Sequence, residues 1–185
     1  MCIKRLKLLR AFLLALGLIL LFSVSGFPQL TISEETPPTS CGNKLLTGIT
    51  CSGGYCDNIS PICGSVIRNI YDIRWSGFVS EEGTAVANCN VPNPFEKGDW
   101  PTGEPAFITG LSCNGSNCDR VALECVALRD AFPESLGGGS CRWTSWVSEE
   151  TPTLRFPAGF GAIRMECKGK YCDDKRFFVC PIRAR

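Results

Sequence analysis

The stretch LTGITCSGGYCDNISPIC, from Leu46 to Cys63, holds three cysteines in 18 residues. Its spacing, C-x4-C-x6-C, could belong to a metal site, a redox site or a set of disulfides. Structural zinc sites usually place ligands in C-x2-C pairs, often with histidine, and thioredoxin-like redox sites use C-x-x-C. The chain has no histidine and neither kind of pair. Disulfides are therefore the favoured interpretation, and we expect no metal ion and no cofactor.

The stretch recurs as ITGLSCNGSNCDRVALEC, which begins at Ile108, and as AIRMECKGKYCDDKRFFVC, which begins at Ala162. All three share the motif C-x-G-x-x-C-D. A segment of the type RWxxxVSEE precedes the second and third copies, and TISEE precedes the first. Three copies at periods of roughly 60 residues predict an internal triplication. The copies cover about 27–70, 71–138 and 139–185.

Residues 1–26 have the layout of a secretory signal peptide. Four basic residues precede an apolar run from Ala11 to Val24, and small residues follow it, with cleavage expected after Gly26. The run is shorter than the ~20 apolar residues of a spanning helix, so an uncleaved anchor is the less favoured alternative. We expect a secreted protein, periplasmic if the source is a Gram-negative bacterium, with no membrane span after cleavage.

Loss of residues 1–26 would leave 15 Lys and Arg (19 minus 4) against 18 Asp and Glu, a net charge of −3. This balance disfavours nucleic acid or an anionic membrane as the main partner. Cys2 would leave with the signal, so 12 of the 13 cysteines would remain. In an oxidising compartment an even number of this size predicts up to six disulfides.

Each copy has the composition of β-strands. In RVALEC, inward Val121, Leu123 and Cys125 alternate with other residues, as in a half-buried strand. No window has a convincing helical stripe, although VALRDAF (126–132) could form one helical turn. We predict that residues 27–185 form one all-β domain, a pseudo-threefold β-prism of three short antiparallel sheets stapled by disulfides, with a β-trefoil as the alternative.

The motif spacing favours short local disulfides. Glycine permits the positive φ of a tight return, and cross-strand neighbours are close enough for a disulfide. A strict two-residue turn would place Leu111 and Val121 on opposite faces, so we expect a bulge or a wider loop. The local pairs would be Cys51–Cys56, Cys113–Cys118 and Cys167–Cys172.

The remaining cysteines would close larger loops as Cys41–Cys63 and Cys89–Cys125. In the third copy Phe156 replaces the first cysteine of such a pair, which leaves Cys141–Cys180 by elimination. The last spacing of this copy is x7 rather than x6, which predicts one bulged residue.

The pattern resembles the vitelline membrane outer layer protein family, a β-prism of three Greek-key sheets. The matching pieces are a Trp-bearing strand at Trp75 and Trp143, the segments ITGLSC and AIRMEC, an Asp-containing turn, and strands that end in RVALEC and FFVC. The resemblance covers most of the chain after residue 26 as a spaced pattern. It implies a secreted, rigid protein that associates with glycans or forms a coat.

Catalytic chemistry has few candidates in this sequence. The absence of histidine excludes Ser-His-Asp and Cys-His mechanisms. Paired glutamates could perform glycoside hydrolysis, but a pair that recurs in every copy is more typical of a structural turn. The aspartates of the motif are expected to accept local hydrogen bonds in Asx turns, with calcium binding as a lesser option. The Glu pairs are Glu34–Glu35, Glu81–Glu82 and Glu149–Glu150.

Aromatic side chains make glycan binding the leading functional hypothesis. Tyr55 and Tyr171 would lie at the tips of two motifs, where Asn117 stands in the second copy, and Trp100 would lie in an exposed Pro-rich insertion. Trp75, Trp143 and Trp146 are further candidates, although core packing is the favoured role for Trp75 and Trp143. We expect a secreted, non-catalytic glycan-binding or extracellular coat protein. The alternative is a carbohydrate-active enzyme that uses the Glu pairs, and a secreted inhibitor or toxin is a third possibility.

Overall fold

The structure is a computed structural model that describes Ile32 and residues 38–80, 86–91, 104–134 and 140–185. The expected signal peptide lies outside the described residues. No helix among them is long and apolar enough to cross a membrane. The strands confirm the predicted all-β class: β1 (Thr39–Ser40), β2 (Lys44–Ser52), β3 (Asn58–Val66), β4 (Ile70–Trp75), β5 (Val86–Asn88), β6 (Asn90–Val91), β7 (Glu104–Pro105), β8 (Phe107–Asn114), β9 (Arg120–Leu128), β10 (Ala131–Pro133), β11 (Arg142–Trp143), β12 (Thr153–Arg155), β13 (Phe160–Lys168) and β14 (Asp174–Ala184).

Three long antiparallel hairpins, β2–β3, β8–β9 and β13–β14, form the body of the fold. Each carries one copy of the motif at its tip, where five residues separate the two strands, as between Ser52 and Asn58. The expected wider loop is therefore present. It contains a short 3-10 helix in each copy: Gly54–Cys56, Ser116–Cys118 and Lys170–Cys172.

Each of the three hairpins pairs with a short strand from a neighbouring copy. β12 of the third copy pairs with β2, β1 of the first copy pairs with β8, and β5 of the second copy pairs with β13. The third copy thus pairs with the first, the first with the second and the second with the third. The registers are equivalent, because the paired hairpin residue lies two residues before the first cysteine of the motif in each case: Leu154 pairs with Ile49, Thr39 with Leu111 and Ala87 with Met165. An isolated copy would leave its hairpin edge unpaired, so the three copies depend on one another.

The RWxxxVSEE segments lie against the second strand of their own hairpins. β4 pairs with β9 and β11 pairs with β14. Beyond these strands, single bridges join Ile32 to Ile59, Val79 to Val121 and Val147 to Lys175. The three bridges occupy equivalent positions, because in each copy the bridged residue of the hairpin lies two residues after the aspartate of the motif. The sequence repeat is therefore a repeat of hydrogen bonding as well.

Six disulfides join the 12 described cysteines in the pairs favoured from the sequence. The short bridges do not join cross-strand neighbours as expected, because Cys113 pairs in register with Val121 rather than with a cysteine. Each short bridge instead ties the first strand to the 3-10 turn. The turn cysteine is fully buried in every copy, at Cys56, Cys118 and Cys172.

The long disulfides and one aromatic pair join the sheets. The N–H of Cys41 donates a hydrogen bond to the carbonyl of Thr109 in β8, and Cys41 is linked to Cys63 in β3. Cys89, next to β13, is linked to Cys125 in β9. At the third junction Phe156 takes the equivalent place and packs on Phe177, with ring centroids 5.3 Å apart. Apolar packing thus replaces a disulfide at one junction in three.

Two details of the third copy and of the connection before it differ from expectation. The segment 126–132 forms no helical turn, because β9 runs to Leu128 and β10 begins at Ala131. The x7 spacing does not arise from an extra bulge, since all three hairpins have a register shift at equivalent places. Val179 occupies the position of Cys63 and Cys125, and Cys180 lies one residue further along, on the other face of β14.

Candidate binding surface

The motif C-x-G-x-x-C-D folds into a compact turn, which we call the clasp (51–57, 113–119 and 167–173). Its glycines have φ of +76° to +78°, a region that favours glycine. A Cβ on Gly53 would lie 1.8 Å from a carboxylate oxygen of Asp57. The two other glycines stand in the same relation to their aspartates, at 1.9 and 2.0 Å. Glycine and aspartate recur together because the carboxylate fills the space that a side chain would need.

The clasp aspartates differ in their hydrogen bonds. Oδ1 of Asp57 accepts a bond from the side-chain amide of Asn58 at 2.7 Å, and Oδ1 of Asp173 accepts one from the N–H of Asp174 at 2.8 Å. Oδ1 of Asp119 is buried and has no hydrogen-bond partner among the described residues. A local backbone hydrogen bond to the clasp aspartate is thus seen in the third copy only, and it comes from the next residue rather than from two residues on, as an Asx turn requires.

The three clasps contact one another at one end of the molecule. Their tip residues, Tyr55, Asn117 and Tyr171, all have left-handed backbone conformations, with φ of 61°, 56° and 61°. Asparagine tolerates this conformation, whereas a bulky side chain is an outlier there. The fold therefore holds two tyrosines in a conformation that costs on the order of 1–3 kcal/mol each.

The two tyrosine rings meet edge to face, with centroids 5.1 Å apart. The Nζ of Lys170 lies 4.7 Å from the centroid of Tyr171 and 6.0 Å from that of Tyr55. The carboxylate of Glu149 accepts the N–H of Tyr55 at 3.0 Å. Tyr55 remains 41% exposed. We call this surface the clasp face: Tyr55, Asn117, Glu149, Lys170 and Tyr171.

Directly beneath the clasps, the fully buried Lys175 breaks the threefold pattern. The equivalent residues are Ile59 and Val121, which are also fully buried. The Nζ of Lys175 donates a hydrogen bond to the carbonyl of Cys172 at 2.5 Å. Burial lowers the pKa of Lys175 from 10.5 to about 8, although the carboxylates of Asp173, Asp174 and Asp57 act in the opposite direction.

The structure brings three of the four predicted ligand residues together. Tyr55, Asn117 and Tyr171 share the clasp face, whereas Trp100 lies outside the described residues. The tryptophans favoured as core residues are not in the core. Trp75 is 43% exposed, and Trp143 is half-buried on the outer face of its sheet. Both belong to short strands at a sheet edge, where one side of the ring faces outward.

The glutamate pairs are described in the third copy only, because residues 33–37 and 81–85 lie outside the described residues. Glu149 and Glu150 are both exposed. The hydrogen bond from Tyr55 gives Glu149 a structural role, since it ties the third copy to the first clasp. Within the described residues, no group of three or more acidic or cysteine side chains is arranged to hold a metal ion.

Sequence reasoning missed a ladder of cations and aromatic rings on the sheet formed by β13 and β14, which we call the third sheet. The guanidinium of Arg176 packs on two indoles, 4.4 Å from the centroid of Trp146 and 4.7 Å from that of Trp143. Lys168 lies 4.2 Å from Trp146 at one end, and Arg164 lies 5.6 Å from Phe178 at the other. Counting charge copy by copy, rather than over the whole chain, would have indicated it.

A cleft of about 290 Å³ lies at the opposite end of the hairpins. Leu45, Ile67, Leu128 and Ile182 line it, together with Arg68 and Asp130. Asp130 already accepts a hydrogen bond from the side chain of Asn69. The cleft therefore has apolar walls and few polar groups that could orient a ligand.

No protein-family model, no curated protein and no solved structure matches this chain. The function must therefore be inferred from the surface of the chain itself.

Proposed function

We propose that the protein is a secreted, non-catalytic glycan-binding or extracellular coat protein, and that the clasp face binds the glycan. One observation carries the proposal: two tyrosines occupy left-handed tip positions that asparagine occupies in the second copy. A residue that costs stability at a position where another would fit points to a role in function. The rings supply that role, because the C–H faces of sugars pack on aromatic rings beside fixed polar groups.

The surroundings support a binding role for these rings. Glu149 fixes the backbone of Tyr55, and Lys170 and Asn117 place polar groups beside the tyrosines. Six disulfides fit an extracellular protein. The spaced resemblance to the vitelline membrane outer layer family points to the same class of function.

The test replaces both tyrosines by the residue of the second copy. Tyr55→Asn with Tyr171→Asn removes the rings and relieves the backbone, so we expect a free energy of unfolding equal to or above that of the wild type. Binding on an array of neutral and acidic glycans should fall at least tenfold. Trp75→Ala removes an exposed ring elsewhere and should bind as the wild type does. Equal binding by the double variant, or no glycan bound by the wild type, would refute the proposal.

The enzyme alternative has a separate signature. Glu149→Gln keeps an oxygen that can accept the N–H of Tyr55 but removes the carboxylate. If the wild type cleaves a bound oligosaccharide and this variant binds it without cleaving it, the protein is a glycosidase. Release of reducing ends from the bound glycan measures this directly.

A further inference from the structure

The charge of the chain is divided unevenly between its copies. Residues 142–185 carry nine Lys and Arg against five Asp and Glu, a net of +4. Residues 27–141 carry six against 13, a net of −7. The overall charge of −3 after residue 26 conceals this division. A local excess of one sign attracts partners of the opposite sign whatever the net charge of the whole protein.

Three of these nine cations lie on the outer face of the third sheet, where Arg176 is paired with Glu166 and Lys168 lies 3.5 Å from a carboxylate oxygen of Asp174. Along β13 the buried residues Met165 and Cys167 alternate with Arg164, Glu166 and Lys168, which face outward. On β14, Arg176 and Phe178 are partly exposed beside them. We call this face the third-copy track, and its members are Trp143, Trp146, Arg164, Lys168, Arg176 and Phe178.

The equivalent positions of the other copies carry no charge. Arg164 stands where the first and second copies have Gly48 and Gly110, and Lys168 stands where they have Ser52 and Asn114. Arg176 likewise replaces Ser60 and Ala122. The fold therefore forms without cations at these positions, and packing of the hairpin does not account for them.

Packing on the aromatic rings holds these cations in place, while some of their N–H groups remain available to bind a ligand. A guanidinium that packs on an aromatic face directs its N–H groups outward in its own plane, where they can bind carboxylate or sulfate in pairs. Arg176 uses its Nε for Glu166, at 2.5 Å, which leaves its terminal nitrogens. Within the described part of the chain, Arg164 has no carboxylate within 4.0 Å. Such preorganised donors lower the entropic cost of binding an anion.

The third-copy track is long enough to contact several sugar units of a polysaccharide. Strand residues rise by about 3.3 Å, so Arg164 and Lys168 lie about 13 Å apart along β13. Two residues further on, Lys170 belongs to the clasp face. We propose that an anionic polysaccharide, whose sulfate or carboxylate groups meet these cations, lies along the third-copy track and continues onto the clasp face. This inference rests on the proposed glycan-binding function and names the class of glycan.

Binding to heparin, polygalacturonate and a neutral β-glucan tests the inference. The wild type should bind at least one of the two polyanions at least tenfold more tightly than the neutral polymer. The bound polyanion should dissociate between 0.15 and 1 M salt, since the Debye length falls from about 8 Å to about 3 Å. Heparin presents sulfates and polygalacturonate only carboxylates, so their order identifies the anionic group.

The key variant is Arg164→Gln with Lys168→Gln, which leaves Arg176 in place. We expect at least a tenfold loss of polyanion affinity with an unchanged circular dichroism spectrum. The matched control is Arg155→Gln, an exposed cation of the third copy that lies on β12 in another sheet, and its effect should stay below twofold. Equal losses in the two variants would show a general charge effect and overturn the inference.

Two further outcomes separate this inference from the proposed function. Glycan binding that depends on Tyr55 but shows no preference for polyanions would refute the track alone. Polyanion binding that depends on Arg164 but not on the tyrosines would refute the clasp face alone. Equally tight binding of single-stranded DNA with matched charge would overturn the assignment to polysaccharide.

Discussion

Replacement of Lys175 by methionine should stabilise the protein at neutral pH. Lys175 is fully buried, and its pKa is lowered from 10.5 to about 8 because burial disfavours the charged amine. A difference of this size between the folded and unfolded states corresponds to about 3 kcal/mol. Methionine has a similar length, no charge and a flexible chain that fills irregular space. The variant also resembles the first two copies, where Ile59 and Val121 are apolar.

The sign of the pH dependence follows from proton counting. Below pH 8 the amine is protonated in both states, so the cost of burying the charge is present in full. Between pH 8 and 10.5 the unfolded state holds more protons, and the stability of the wild type therefore rises with pH. The variant lacks this rise. The advantage of Lys175→Met should therefore be greatest below pH 8, and towards pH 10.5 it should be lost and slightly reversed, because only the missing hydrogen bond to Cys172 then remains.

The expected magnitude takes into account the lost hydrogen bond to the carbonyl of Cys172. That loss costs about 1 kcal/mol, which leaves a net gain of about 2 kcal/mol at pH 7. For a domain of this size the midpoint of thermal unfolding should rise by roughly 4 to 8 °C. Calorimetry at pH 7 and pH 10 measures both values. Lys44→Met, at the exposed start of β2, is the control and should show no such pH-dependent gain. A variant less stable than the wild type at pH 7, by an amount that does not change with pH, would refute this account of Lys175.

Two further predictions concern the clasp and the sheet junctions. Gly53→Ala places a Cβ 1.8 Å from the carboxylate of Asp57 at a φ of +78°, and should lower the free energy of unfolding by at least about 2 kcal/mol. The neighbouring Gly54 has nothing within 4 Å of such a Cβ. Gly54→Ala should therefore change the free energy of unfolding by no more than about 0.5 kcal/mol. Urea unfolding of the two variants checks the difference, and equal costs would contradict the clasp geometry. Phe156→Ala should cost about 3 kcal/mol, because no disulfide joins the sheets at that junction. Phe156→Cys with Val179→Cys would introduce the disulfide that the other two junctions have and should raise the free energy of unfolding by about 3 kcal/mol relative to Phe156→Cys alone. A midpoint of urea unfolding no higher than that of Phe156→Cys alone would show that the positions are not equivalent.

The repeat made much of the fold predictable. The spacing of Cys51, Gly53, Cys56 and Asp57 recurs because each residue depends on the others: the glycine makes room for the carboxylate, and the disulfide holds the turn. Three such copies predict three hairpins. The exchange of β1, β5 and β12 could not be predicted in this way, because the sequence pattern of a short strand does not identify the edge with which it pairs.

The site was predictable only where local geometry determines it. Tyr55 and Tyr171 lie at a tip in any hairpin built on the motif, so their position followed from the spacing. The role of Trp75 was predicted wrongly because an aromatic residue in a strand is compatible with either face, and pairing at an edge decides between them. The ladder around Arg176 depends on the register of β13 with β14 and on the path of residues 142–147. None of this is encoded within one short window.

Comparison of the copies separates the residues that the fold requires from those that it merely tolerates. The clasp glycines, cysteines and aspartates are the same in all three copies, and steric fit explains them. At the positions of Arg164 and Lys168 the first two copies show that small or neutral residues suffice for folding, and at the clasp tip the second copy shows the same with Asn117. Cations at Arg164 and Lys168 and rings at Tyr55 and Tyr171 therefore exceed what the hairpins need. Because these four residues lie on the third-copy track and on the adjoining clasp face, the proposed polysaccharide would account for all of them with one ligand, whereas four separate structural explanations would otherwise be required.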